Sequence, residues 1–231
     1  DSTALLARGY SHTGSLVGSF RSAPMGCDMG EDECEGYAEV PAYDATSQRA
    51  FVVNAEDSSV DIIDMSTPSM PTLHYRLVIS NGEPNSVAVS SNGLVGVAVA
   101  VDPKQDNGLA MFFDTDGTLV GSIVAGALPD MITFTNDGTK ALVANEGEPD
   151  DDYVVDPVGS VTVIDVSDTT SLTATQVGFT SFNSQMATLE ANGVRIFGAG
   201  ATVAQDLEPE YIAVAGDDST ATIVMQENNA V

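Results

Sequence analysis

The stretch DMITFTNDGTKALVAN, residues 130–145, places a polar turn, Asn136-Asp137-Gly138, between two short apolar segments. Short apolar segments on either side of such a turn are typical of an antiparallel β-hairpin. Similar stretches begin at Glu39, Asn85 and Glu210, so each opens with an acidic or amide residue, as the first one does. The sequence therefore predicts one β unit that is repeated along the chain.

The spacing of these units identifies the architecture. Glu39 and Asn85 are 46 residues apart and Asn85 and Asp130 are 45 apart, whereas Glu210 follows Asp130 by 80 residues. A period of about 45 residues made of short strands is typical of a β-propeller with four-stranded blades, as in WD40 repeats. The longer interval predicts an insertion at about residues 180–209.

The predicted fold class is all-β, an incomplete ring of about four propeller blades in residues 39–231. The fourth unit has only two predicted strands, and the insertion before it contains a short predicted helix over residues 185–193. Because a propeller lacks exposed edges only when its ring closes, we expect a longer propeller or another chain that covers the open edge. Residues 1–38 form an N-terminal segment, in which a candidate strand at 15–20 would complete the last blade.

The composition limits the partners of this chain. Lysine and arginine together number 7 and aspartate and glutamate 34, which gives a formal net charge of −27. Such a surface repels nucleic acid and anionic lipid and attracts cations. A hydrophobic content of 43% argues against disorder, and no apolar run is long enough to span a bilayer. We therefore expect a folded protein that binds cations and neither binds nucleic acid nor crosses a membrane.

The chain contains two cysteines, Cys27 and Cys34, with six residues between them. Two thiols with no histidine nearby make a poor zinc site. A local disulfide is the favoured interpretation and would imply an oxidising compartment, while two free thiols are the alternative. The numbering starts at Asp1 without a visible signal peptide, as in a mature chain whose leader has been removed.

Seven motifs in one order carry a resemblance to a known family. They are AEVPAYD (38–44), LPDMITFTNDG (128–138), VANEGEP (143–149), DPVGSV (156–161), FNSQ (182–185), QDLEPEYIAV (205–214) and QENNAV (226–231). Together they resemble the secreted bacterial choice-of-anchor I β-propeller proteins, also described as mesenchyme-specific cell surface glycoprotein-like. The resemblance implies an extracellular or surface-anchored propeller, similar in fold to the heme d1-type and YVTN-type propellers. Some family members bear an alkaline phosphatase label, and the segment between Cys27 and Cys34 departs from the family pattern.

In a propeller, the first strand of each blade lines the central channel, so the residues that open the units share one face. This geometry predicts a channel mouth formed by Glu39, Asn85, Asp130 and Glu210. The long loop between the second and third strands of the third unit is expected on the same face.

The acidic residues of that loop are candidate ligands for a divalent cation. Calcium takes six to eight oxygen ligands and accepts carboxylates from flexible loops. The candidates are Glu146, Glu148, Asp150, Asp151, Asp152 and Asp156, together with Glu208. Carboxylates that cluster without a metal raise one another's pKa, which favours a counter-ion such as Ca²⁺. The alternative is a solvated acidic loop, because the spacing is not that of an EF-hand.

The sequence offers little for catalysis. The two histidines, His12 and His74, suggest no Ser-His-Asp arrangement, and neither Gly-x-Ser-x-Gly nor a P-loop is present. No catalytic or cofactor-binding residue is therefore predicted apart from the metal ligands. We favour a secreted or surface-bound, non-enzymatic module whose acidic face binds divalent cations and a partner protein or surface polymer. The alternatives are a calcium-dependent phosphohydrolase, in which the same carboxylates hold the metal ions, and a structural subunit that assembles through open blade edges.

Overall fold

A computed structural model describes residues 16–22 and 36–231 of the chain. Cys27, Cys34 and His12 lie outside the described residues, so the disulfide stays a prediction. None of the helices in the described ranges is long and apolar enough to cross a membrane.

The chain folds into consecutive antiparallel sheets in which the strands follow sequence order. The first blade contains β1 (Pro41–Asp44), β2 (Arg49–Asn54), β3 (Ser59–Asp64) and β4 (Thr72–Val78). The second contains β5 (Glu83–Val89), β6 (Val95–Ala100), β7 (Asn107–Phe113) and β8 (Leu119–Ala127). The third contains β9 (Pro129–Phe134), β10 (Lys140–Asn145), β11 (Ser160–Asp165) and β12 (Thr173–Gly178), and the fourth has only β13 (Tyr211–Val214) and β14 (Ala221–Val224). The predicted incomplete propeller is therefore confirmed.

The hydrophobic core lies between neighbouring blades. In the first blade Phe51 pairs with Ile62 and Val53 with Val60, so one face of the sheet is apolar and packs against the second blade. Between the second and third blades the rings of Phe112 and Phe134 pack at 60° with centroids 6.3 Å apart. A third cluster around Ile212 joins the third blade to the fourth. Face-to-face burial of this kind explains why the strands carry apolar residues on both sides.

The aspartates that end or follow the third strands start turns, as the sequence predicts. Asp64 Oδ1 accepts a hydrogen bond from Ser66 N at 2.8 Å, and Asp165 Oδ1 accepts one from Ser167 N at 3.0 Å. Asp114 Oδ1 likewise accepts from the backbone amide two residues on. These short side-chain bonds to the backbone stabilise the turns.

The insertion folds as three short helices beside the fourth blade. A 3-10 helix at Thr180–Gln185 leads into α1 at Met186–Ala191, and α2 follows at Val203–Asp206. The predicted helix over residues 185–193 thus forms over its central part, and Gly193 ends that region with a φ of +94°. The buried side chains of Val203, Leu207 and Met225 anchor the insertion to the fourth blade.

The described part of the N-terminal segment, residues 16–22, lies against the outer side of the first blade. Ser22 O accepts a hydrogen bond from Arg76 Nη2 at 3.3 Å, and a Cβ on Gly18 would lie 2.1 Å from Pro68 O. Residues 16–20 do not form the predicted strand, because no strand within the described ranges runs beside them to complete a ladder. A ring-closing role for this segment stays a prediction.

Candidate functional site

The innermost strands β1, β5, β9 and β13 stand side by side, which brings three of the residues that open the units to one end of the blades. Asn85 Nδ2 donates a hydrogen bond to Pro129 O at 3.0 Å and so joins β5 to β9. Asp130 lies close to Glu210. Burial raises the pKa of Glu210, and the charge of Asp130 raises it further. Glu39 is exposed and lines a separate shallow cavity with Glu56 and Glu83.

Glu146 is held at this end by the backbone. Its amide donates to Leu128 O at 2.9 Å, and the amide of Gly147 donates to Ala127 O at 3.2 Å. Leu128 has a φ of +48°, so the chain turns sharply where β8 passes into β9 and presents these carbonyls to the loop after β10. The two bonds place the Glu146 side chain beside Asp130.

Asn145, the residue before Glu146, is held in place by a buried hydrogen-bond network. This fully buried side chain accepts from Gly126 N at 3.0 Å through Oδ1. Its Nδ2 lies 3.1 Å from Ser160 Oγ and 2.9 Å from Thr162 Oγ1. Because a buried amide of this kind is costly to leave unpaired, the network anchors the start of the acidic loop to the third blade.

The carboxylates at this end repel one another. Burial, followed by the charges of Asp130, Glu148, Glu210 and Glu208, raises the pKa of Glu146 to about 8. Burial and the charge of Glu148 also raise the pKa of Asp130. Glu208 is 4% exposed, and burial, followed by the charge of Glu148, raises its pKa to about 7. We call this set the acidic mouth: Asp130, Glu146, Glu148, Glu208 and Glu210.

One lysine reaches the acidic mouth from the second blade. Lys104 Nζ forms an ion pair with Glu148 Oε2, and Gln105 Nε2 donates to Glu148 O at 3.3 Å. The bond to Glu148 raises the pKa of Lys104, partly offset by burial. A single ammonium cannot neutralise five carboxylates, so the acidic mouth keeps an excess of negative charge.

The loop aspartates Asp150, Asp151, Asp152 and Asp156 are not members of the acidic mouth. Asp150 Oδ1 accepts from Val154 N at 2.7 Å, which folds the loop back on itself, and Asp151 and Asp152 are exposed. Burial raises the pKa of Asp156, and the charge of the nearby buried Asp206 raises it further.

Within residues 16–22 and 36–231, no three His, Cys, Asp or Glu side chains converge into a preformed metal site. The donor set of the acidic mouth nevertheless consists of the hard oxygen ligands that divalent cations prefer.

Asn228 is a supporting residue that the sequence did not reveal. It is fully buried, donates to Asp206 O and to Arg195 O, and accepts from Glu208 N at 3.0 Å. These bonds fix the backbone of Glu208 against the insertion. In the sequence Asn228 is one of two adjacent asparagines in a polar turn, and nothing there shows which one is buried.

Comparison with known proteins gives one family match and several fold matches. The family model described as the choice-of-anchor I domain matches residues 39–231. No curated protein matches the chain by sequence. Among solved structures, Kuenenia stuttgartiensis hydrazine synthase matches at 13% identity with a TM-score of 0.50, covering 82% of this chain and 62% of that one. A Lactobacillus plantarum protein matches at 14% identity with a TM-score of 0.52, covering 80% of this chain and 50% of that one.

At 13% and 14% sequence identity, these two structures show a similarity of fold alone. The chain spans 62% and 50% of the two structures that it matches, so it corresponds to part of each of them.

Proposed function

This chain belongs to the choice-of-anchor I domain family, and we propose that its β-propeller is a non-enzymatic binding module whose acidic mouth binds divalent cations. The observation that carries this proposal is the state of Glu146. Burial, followed by the charges of four neighbouring carboxylates, raises its pKa to about 8, so at neutral pH the site favours a proton in place of a counter-ion. A divalent cation would relieve the same repulsion and leave the carboxylates ionised.

The acidic mouth suits a cation that keeps part of its water shell. Since no three acidic side chains converge within the described residues, direct ligands would come from pairs of carboxylates, with water completing the coordination. Mg²⁺ often binds proteins through one or two carboxylates and several waters, and Ca²⁺ accepts water among its six to eight ligands. Glu146 is the central ligand in this proposal, because it interacts with every other member of the acidic mouth.

The cations at this end of the propeller are already engaged. Lys104 is paired with Glu148, and Arg195 Nη1 lies 3.9 Å from Glu227 Oε2. A phosphohydrolase needs cationic groups for its phosphate ester, so a binding module fits the arrangement better than calcium-dependent hydrolysis does.

A second candidate function, assembly through an open blade edge, is favoured by one observation. Within the described ranges β14 pairs with β13 alone, and an apolar cavity of about 490 Å³ lies beside it, lined in part by Phe179, Leu189 and Ile223. An unpaired strand edge next to apolar surface favours strand addition by another segment or chain. Light scattering over a range of protein concentrations tests this, and a monomer at all concentrations would count against self-assembly.

We further propose a secreted or surface-bound location for the module. Family membership and the net charge of −27, which keeps the surface hydrated and cation-rich, support this proposal.

The cation proposal is tested by titration calorimetry on protein that has been stripped with a chelator. Ca²⁺ and Mg²⁺ are each titrated at neutral pH, and saturable binding of at least one of them is expected. Binding should also release protons, because Glu146 must lose its proton to act as a ligand. The absence of saturable binding for both ions would contradict the proposal.

A further inference from the structure

A cavity of about 380 Å³ opens beside the acidic mouth, between the acidic loop and the insertion. Its lining includes Lys104, Glu148, Tyr153, Phe197, Glu208 and Glu227. This volume falls within the range of small-molecule sites in proteins, which combine apolar walls with a few polar groups that set specificity.

Glu208 is the buried polar side chain in this cavity that has no hydrogen-bond or ion-pair partner among the described residues. It is 4% exposed, yet its carboxylate accepts no hydrogen bond and forms no ion pair within residues 16–22 and 36–231. Its backbone amide is bound by Asn228 Oδ1 at 3.0 Å, which holds the residue in place. A carboxylate that is fixed, nearly buried and unpaired is a strong acceptor awaiting a donor.

Three other carboxylates around Glu208 have partners. Glu148 is paired with Lys104, Glu227 lies 3.9 Å from Arg195, and Asp150 accepts from the backbone of its own loop. Asp151 also lines the cavity but is exposed, so Glu208 is the buried carboxylate that an incoming cationic group would find uncompensated. A cation is favoured over an anion or a neutral ligand, because Glu208 is surrounded by the negative charges of Glu148, Asp206 and Glu227.

The walls distinguish an organic cation from a metal ion. Tyr153 and Phe197 line the cavity, and the Arg195 guanidinium carbon lies 4.0 Å from the centre of the Phe197 ring. Aromatic faces stabilise ammonium and guanidinium groups, whereas a metal ion binds oxygen ligands and gains nothing from aromatic walls. Lys104 shows that an ammonium group is accommodated at this cavity.

We propose that this cavity binds a primary alkylammonium group, with Glu208 as its counter-ion and Tyr153 and Phe197 beside its alkyl chain. The inference rests on the proposed function in one respect, that this end of the propeller is a binding face, and it requires no bound metal ion. The ammonium group is carried either by a free amine or by a lysine side chain of a partner protein.

The test measures the binding of n-pentylammonium by titration calorimetry in a buffer that contains a chelator. Pentan-1-ol, which has the same chain without the charge, serves as the ligand control. Glu208→Gln removes the charge and keeps the shape, and we expect it to weaken binding roughly tenfold to a hundredfold, as for loss of a charge-assisted hydrogen bond. The matched control is Glu190→Gln, on the exposed face of α1, which should bind as the wild type does.

Glu208→Gln should fold normally, because the Glu208 carboxylate makes no hydrogen bond that the amide would break. Should it not fold, Tyr153→Leu provides a second variant at an exposed position and should weaken binding several-fold. Equal affinity of Glu208→Gln and wild type would overturn the proposal, as would equal affinity for n-pentylammonium and pentan-1-ol. No detectable binding of n-pentylammonium by the wild type would also overturn it.

Two further measurements complete the design. Nα-acetyl-lysine amide carries the same ammonium on a peptide backbone, and tight binding of it in addition to n-pentylammonium identifies a protein side chain as the source. Preference for n-pentylammonium alone identifies a free amine. Calcium titration of the same proteins separates this inference from the proposed function, because n-pentylammonium binding without calcium binding supports the cavity and contradicts only the cation site.

Discussion

Arg76 holds the fully buried carboxylate of Asp61 through two hydrogen bonds, from Nε to Oδ1 at 2.6 Å and from Nη2 to Oδ2 at 3.0 Å. The two residues are directly opposite each other on β3 and β4. Arg76 also pairs with Asp57 and donates to Ser22 O, so it ties the N-terminal segment to the first blade.

Arg76→Met should destabilise the protein by about 3–5 kcal/mol, because it leaves the charge of Asp61 buried without a partner. The measurement is the free energy of unfolding from urea titration. The double variant Arg76→Met, Asp61→Val removes both charges and should recover most of the loss, since an apolar pair of suitable shape often replaces a buried ion pair without cost. A single variant within about 1 kcal/mol of wild type would contradict this account of the pair.

Gly159→Ala should weaken the attachment of the insertion to the third blade. A Cβ at residue 159 would lie 1.9 Å from Leu207 O, and the Gly159 amide donates to Ala204 O at 3.0 Å. The forced shift should cost about 1–3 kcal/mol in urea unfolding. Gly178→Ala is the matched control, because a Cβ there meets nothing within 4 Å, and its effect should be near zero.

The strands were predictable from the sequence because their signals are local. The turn at residues 136–138 lies between β9 and β10, where the apolar segments of residues 130–145 predict it. Asp130 lies in β9 and Glu210 directly precedes β13, so the two carboxylates lie close together; the channel mouth itself stays a prediction. The position of Glu39 was less predictable, since it lies on the first blade beside a cavity of its own.

The path of the acidic loop could not be predicted from composition. Its carboxylates were treated alike, yet Glu146 is drawn to the mouth by a hydrogen bond to Leu128 O, while Asp150 is turned away by a bond from Val154 N. Both bonds depend on backbone geometry that the residue types do not specify. Lys104 and Asn228 were missed for the same reason, because their partners come from distant parts of the chain.

The acidic mouth should make stability fall as the pH rises towards 8 in the absence of divalent cations. Burial and neighbouring charges raise the pKa of Glu146 from 4.5 to about 8 and that of Glu208 to about 7. Between pH 4.5 and these values the folded protein holds protons that the unfolded chain releases, so each pH step through this window lowers the free energy of unfolding. The measurement is the melting temperature from pH 4.5 to 9 with a chelator present.

Glu146→Gln should flatten this pH profile, because the amide does not titrate, while Glu190→Gln should leave it unchanged. Asp64 and Asp165, which start turns, titrate over a lower pH range than Glu146 does. Hydrogen bonds from Ser66 and Ser167 lower the pKa of Asp64 and Asp165, so the stability they contribute is lost only at acid pH, below their ordinary pKa. A wild-type profile that is flat between pH 5 and 8 would contradict the raised pKa of Glu146.

Calcium should raise the melting temperature of the wild type, since a ligand that binds only the folded state stabilises it by mass action. Glu146→Gln should lose most of this shift, because it removes the central carboxylate of the acidic mouth. Asp152→Asn provides the matched control: Asp152 belongs to the same acidic loop, but it is exposed and is not among the carboxylates that raise the pKa of Glu146. Its calcium-induced shift should equal that of the wild type. If Asp152→Asn lost the shift and Glu146→Gln kept it, calcium would bind the outer part of the loop, and the acidic mouth would not be the cation site.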